Sequence, residues 1–460
     1  MAQSTTYLSK TYSSNGNLKK GTISVWCKFA DTDASADSTI FGTGDLASDS
    51  NSTFLSVNGN GFGNVSTRQI LFGLRIGGGT VYNAVSNNIL RDVNAWYHIV
   101  VRFDNTLGTP NCDIYVNGEE VSYSANNWGS LSTNSNTYLG GTSFNHRIGR
   151  GNTNAMISNY YEGSMSHFHY CDGYYYAPTE FGETDSTTGE WKIKTSPSVS
   201  YGTNGFWFFK DDNALTDHSP NSNSYSLTAG TLTKTEDCPS NVFATLNPLA
   251  NIGSASTYEN GNTTITGNNN WGANPSTIAT GTTGKYYAEC KVVAQASAYS
   301  QFGIMSVDAV PNWTLGYVHT SADAIVWSID YRSGQSKIES NNSAIISTPT
   351  QFSDGDIIGM AIDVDNGKIY FHRNGTYVTY TGYVQNPSSG SYGINLPTST
   401  SGYHIMGNAY PNAKISVNFG NGYFGTTAVS SAGTNASNNG IFEYDVPTGY
   451  TALSTKGLNT

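Results

Sequence analysis

Charge is scarce in this chain of 460 residues: Asp, Glu, Lys and Arg together make up 12% of it, about half the usual share of roughly 25%. What charge there is leans acidic, with 33 carboxylates against 22 lysines and arginines and a formal net charge of −11. The only adjacent basic pair is Lys19-Lys20. The basic stripe that neutralises phosphates is therefore missing, which argues against nucleic acid as a direct ligand. No apolar stretch approaches the roughly 18 residues of a spanning helix, so no membrane insertion is expected. Met1-Ala2-Gln3-Ser4 opens polar and lacks the apolar core of a signal peptide. The expected origin is a reducing cytoplasm, with exit inside a particle or by lysis.

Cysteine is sparse and scattered: Cys27, Cys112, Cys171, Cys238 and Cys290, with no C-x-x-C pair. That spacing argues against zinc, and the odd number fits buried thiols in a reducing compartment. No G-x-S-x-G elbow is present, and Gly77-Gly78-Gly79 reads as a turn, because no helix follows it to make a phosphate loop.

Aromatics and glycine are abundant, with 31 Tyr, 19 Phe, 8 Trp and 50 Gly. A disordered chain is poor in aromatics, so this one folds. Turn-forming Asn, Ser, Thr and Gly between short apolar segments predict an all-β protein of antiparallel sheets, a sandwich or a barrel. Thr22–Phe29 alternates so that Ile23, Val25, Cys27 and Phe29 share a face; Ile70, Phe72, Leu74 and Ile76 do the same. Asn117-Gly118 supplies two residues tolerant of positive φ, a strong hairpin signal.

The stretch NAWYHIVVRFD (94–104) leading to CDIYVNGEEV (112–121) resembles the core of laminin-G-like, concanavalin-like jelly-roll domains. YLGGTSFNHRIGRG (138–151) and YYEGSMSHFHYCDGYYYAPTEFGE (160–183) are similar to the strands that follow in that family. Further along, GDIIGMAIDVDNGKIYFHRNG (355–375) resembles the centre of a SPRY domain, with GKYYAECKV (284–292) before it and AKISVNFGNGYF (413–424) after it. The expected organisation is a laminin-G-like sandwich over 1–183, a connector over 184–250 and a SPRY-like sandwich over 251–460. The connector carries a short strand, Gly205 to Phe209, that could complete the first sandwich as a permuted edge. The pair of domains is similar to tailed-bacteriophage virion proteins. This resemblance implies a virion location, oligomeric assembly with other virion proteins, and attachment to host-surface glycan.

Candidate sites follow from residue chemistry. Asp363-Val364-Asp365-Asn366-Gly367 could suggest calcium, but an EF-hand loop starting there needs a bidentate Glu at its twelfth position, which is Asn374. A tight hairpin is the better reading. The acidic cluster Asp31, Asp33, Asp37 and Asp45 falls in a Ser-rich loop and reads first as solvated carboxylates; the laminin-G resemblance implies that such a rim loop can also bind calcium, with Asp31 and Asp33 as its ligands. No other cofactor is expected. Jelly-roll glucanases carry E-x-D-x-x-E on one strand, and no such motif occurs; Glu119 with Glu120 and Glu180 with Glu183 lack the spacing. His167 and His169 have the i, i+2 spacing that puts two ligands on one face. The expectation is binding without catalysis. Aromatic-rich loops are the candidate ligand surface, since Tyr beside Ser, Gly and Asn is recognition-loop chemistry. Trp128, Tyr175, Trp313, Tyr317, Tyr331 and Arg332 are the predicted contacts. A purely structural virion protein and a polysaccharide depolymerase are the alternatives.

Overall fold

The computed structural model describes all residues except 1–4, 31–37, 58–67, 80, 155, 211–214, 251, 254–255, 269–270, 297, 311–316, 349–351 and 460. Two compact units divide the chain, Gln3–Lys234 and Thr235–Thr460. Each is built of antiparallel sheets around its own apolar core.

In the first unit an eight-stranded sheet runs, in spatial order, Tyr123–Asn126, Val81–Ile89, Gln69–Arg75, Ser52–Val57, Ser38–Gly44, His146–Ile148, Tyr7–Lys10 and Ser226–Ala229. A six-stranded sheet runs Phe206–Phe208, Gly163–Asp172, Lys20–Phe29, Tyr97–Asp104, Asn111–Val116 and Glu119–Glu120. Period-2 alternation decides which side chains go inward. Ile23 lies opposite Val101 and Val25 opposite Ile99, and all four are fully buried. Each such side chain removed from water contributes about 1.5–3 kcal/mol. Ile70, Phe72 and Leu74 are buried as their alternation predicts, but Ile76 is 38% exposed. The strand ends at Arg75, and the turn at Gly77 and Gly78, both at positive φ, releases Ile76 to the surface. Asn117 and Gly118 adopt φ of 49° and 85° and join Asn111–Val116 to Glu119–Glu120 in the expected hairpin.

Segment 184–250 contributes to both units. Phe206–Phe208 pairs with Gly163–Asp172 at one sheet edge, and Ser226–Ala229 pairs with Tyr7–Lys10 at an edge of the other sheet. From Thr235 onward the chain belongs to the second unit.

In the second unit a larger sheet runs Thr257–Glu259, Thr264–Thr266, Lys414–Asn418, Lys285–Ala294, Ile357–Asp363, Lys368–Arg373 and Thr376–Tyr377. Thr451–Ala452 joins it beside Lys285–Ala294, in parallel. The facing sheet runs Ala273–Pro275, Tyr403–Tyr410, Tyr299–Ser306, Ala324–Asp330, Gln335–Ser340 and Ser343–Thr348. The 363–367 segment is the hairpin its sequence suggested. Asp363 accepts from Asn366 N and pairs with Lys285 at 2.9 Å, and Asp365 accepts from Gly284 N.

Candidate functional site

The strand Tyr299–Ser306 sends Phe302 and Ile304 into the core, so Tyr299 and Gln301 face away from it. Register then lines up two rows across the sheet. Tyr410, Tyr299 and Asp330 form one; Asn408, Gln301, Ser328 and Lys337 form the other.

Trp271 lies flat on Tyr410, ring centroids 4.8 Å apart and 10° from coplanar. It also approaches Tyr299 at 5.3 Å and Tyr317 at 5.2 Å. The Arg332 guanidinium sits 4.2 Å from the centre of the Tyr299 ring. Trp271, Tyr299 and Tyr410 are half-buried, Tyr317 is 41% exposed and Arg332 is exposed. Beside the rings runs a chain of hydrogen bonds. Asn408 Nδ2 donates to Gln301 Oε1 (2.9 Å), and Gln301 Nε2 donates to His319 Nδ1 (2.7 Å) and Ser328 Oγ (2.8 Å). Gln301 Nε2 can only donate, so His319 Nδ1 accepts and the ring proton sits on Nε2, and burial holds the imidazole below its usual pKa. Arg332 lies 3.5 Å from Asp330, and Lys337 lies 2.8 Å from Glu339. The arrangement is a ring surface bordered by amides, a hydroxyl and balanced charges. It can stack on flat apolar faces and exchange hydrogen bonds with hydroxyl groups.

Of the predicted contacts, the structure brings Tyr317 and Arg332 into this cluster. Tyr331 is instead 7% exposed, with its hydroxyl 2.6 Å from Ser300 Oγ inside the core. Trp128 is fully buried. Its short 3₁₀ turn rotates the indole inward onto Phe72 (5.1 Å), and Nε1 donates to Asn105 Oδ1 at 2.8 Å, so it offers no face to a ligand. Tyr175, in the first unit, is engaged with its neighbours. Its hydroxyl donates to Asp113, and the Arg102 guanidinium lies 4.4 Å from its ring. Trp313, Asp31 and Asp33 lie outside the described residues. Trp271, Tyr299, His319 and Tyr410 were not predicted. The one signal that could have found them is the outward parity of Tyr299 and Tyr410 on strands whose alternate residues are buried.

Among the described residues, the histidines and glutamates with the spacing of catalytic or metal groups have other partners or are kept apart. Ser24 Oγ lies 2.8 Å from His98 Nε2, which resembles a nucleophile–base pair. Trp191 Nε1, which can only donate, occupies His98 Nδ1 at 3.0 Å. The His98 proton therefore sits on Nε2 and is donated toward Ser24, so the ring cannot accept the hydroxyl proton. Burial, then the neighbouring His167, pulls the His98 pKa down to about 3. The expected shared face of His167 and His169 is broken by a bulge: register shifts between Ser166 and His169, and His167 sits at φ 44°. Among the described residues no group of three or more His, Cys, Asp or Glu converges as a metal site. Glu119 and Glu120 are exposed beside their hairpin turn, and Glu183 pairs with Lys192 at 3.4 Å.

Residues 3–172 match the family model of the concanavalin A-like lectin/glucanases superfamily. The chain is all-β, and that portion carries the concanavalin-like jelly roll. No curated protein matches the chain. Similar solved structures include the SPRY domain of human HERC1, at 16% identity over 37% of this chain and 96% of that one, with a TM-score of 0.27. The heptameric SAP-like pentraxin of Limulus polyphemus matches at 13% identity over 37% of this chain and 72% of its own, TM-score 0.25. A candidate carbohydrate binding protein from Bacteroides ovatus matches at 15% identity over 50% and 58%, TM-score 0.33.

Proposed function

We propose that this protein is a non-catalytic attachment protein that binds glycan on the ring surface of its second unit, carried on a tailed-phage virion as a fibre-like or decoration component. The observation that carries the binding half is the cluster of Trp271, Tyr299, Tyr317 and Tyr410 beside the Asn408–Gln301–Ser328 row. Stacking rings next to hydroxyl-matching amides suit a saccharide, whose ring faces are apolar and whose edges are polar. The match of residues 3–172 to a superfamily described by lectins and glucanases supports saccharide as a ligand class for the first unit, so that both units point to the same kind of partner. The virion half is supported by the pairing of laminin-G-like and SPRY-like sequence patterns.

A glycan array followed by calorimetry tests the binding. Trp271→Ala removes the ring that touches all three tyrosines, and a lost stack of about 1.4 kcal/mol weakens affinity about tenfold. Tyr317→Ala should weaken it less, since that ring makes fewer contacts. Retention of full affinity in both variants would sink this site; absence of binding to any glycan would leave a structural component. Immunogold labelling of particles tests the location, with a projecting free tip as the expected result.

A further inference from the structure

The strand His146–Ile148 of the first unit turns His146 and Ile148 into the core, at 0% and 2% exposure, and so directs Arg147 outward from the eight-stranded sheet. Its strand neighbours there are Ser9 and Gly42, neither of which carries charge. The following loop folds back over it. Arg147 Nη1 donates to Gly151 O at 3.3 Å, leaving the side chain only 7% exposed, and its buried Nε has no hydrogen-bond partner.

A second guanidinium lies alongside. Arg150 bridges to Tyr160 through backbone, donates Nε to Ile157 O at 2.8 Å, and packs 4.8 Å from the Tyr7 ring and 5.2 Å from the Tyr160 ring. Arg147 lies 5.8 Å from the same Tyr7 ring. Among the described residues neither arginine has a carboxylate within ion-pair distance, although acidic groups outnumber basic ones 33 to 22 in this chain. Burial, and then repulsion from Arg150, depress the Arg147 pKa, the expected signature of two like charges held together without a counter-ion. Tyrosine faces offset only part of this cost, and a half-buried guanidinium pair is normally neutralised.

We propose that Arg147 and Arg150, flanked by Tyr7 and Tyr160, form an oxyanion site that takes the carboxylate or sulfate of an acidic saccharide or the free inorganic ion. The two terminal nitrogens of the half-exposed Arg150 guanidinium match two oxygens of such a group, and the buried Arg147 beside it adds a second positive charge. The site lies on the first unit and does not depend on the ring surface of the second.

The test uses the full chain. Calorimetry and thermal denaturation compare sodium sulfate, sodium glucuronate and an oligoglucuronide with sodium chloride at matched ionic strength. Sulfate stabilises many proteins through exclusion from their surfaces, so the decisive quantity is the difference between the wild type and Arg150→Gln. Binding of at least one oxyanion that falls tenfold or more in Arg150→Gln and is partly kept in Arg150→Lys is the expected result. A tighter oligoglucuronide assigns the site to saccharide, and equal affinities assign it to the free ion. Stabilisation that is identical in wild type and Arg150→Gln, with no heat of binding for any oxyanion, overturns the site. Arg150 is half-exposed, so its variants are chosen over those of Arg147 to keep the fold intact.

Discussion

Glu289 is fully buried in the second unit and accepts four hydrogen bonds: from Tyr287 and Tyr444 N on Oε1, and from Glu443 N and Asn418 on Oε2. Burial outweighs these donors and raises its pKa from 4.5 to about 7. A carboxyl whose folded pKa is raised contributes its full stability below the unfolded value and loses it as pH rises through the folded one. Stability of the second unit should therefore fall by about 3 kcal/mol between pH 4.5 and just above 7 from this group alone. Denaturant titrations across that range should show the decline, and Glu289→Gln should flatten it; an unchanged slope in the variant would remove Glu289 as the cause. Nothing in the sequence separates Glu289 from other strand glutamates, because its chemistry depends on residues 418 and 443–444 arriving from elsewhere. Trp128 shows the same limit: an indole in an Asn/Gly-rich loop reads alike whether it turns outward or, as here, into the core onto Phe72.

Among the elements, the hairpin at Asn117-Gly118 joins backbone and packing demands in one residue. Gly118 has φ 85°, and a Cβ there would lie 2.6 Å from the Trp191 ring. Gly118→Ala should destabilise the first unit by more than the roughly 1 kcal/mol of the backbone effect alone. It should also shift the Trp191 emission as the indole is displaced from His98; an unchanged spectrum would contradict this packing. Strand faces such as Ile23/Val25/Cys27/Phe29 were legible because alternation is local. The ring surface was only half legible. Residues 271, 299, 317, 332 and 410 are adjacent only after three strands take their register, and no local pattern encodes which strand lies beside which.

For the whole molecule, the division at Lys234/Thr235 predicts that residues 3–234 and 235–460 fold as separate fragments, each with a single cooperative transition. Ending the first fragment at 183 removes Phe206–Phe208 and Ser226–Ala229 and strips the cover from Phe168 and Tyr170. Circular dichroism and thermal melts should show that shorter piece aggregated or molten; a sharp native-like melt would show that the two edge strands are dispensable.

The Tyr7–Lys10 strand is held between His146–Ile148 and Ser226–Ala229. It is thus synthesised before both of its neighbours and is flanked on both sides only when Ser226–Ala229 arrives. On the ribosome its unpaired edge stays open while some two hundred further residues are made, an interval of roughly ten to forty seconds at about 5–20 residues per second. Closure over such a distance is slow, so the yield of native protein in a cell should depend on translation tempo and chaperone supply more than on the final stability of the sandwich.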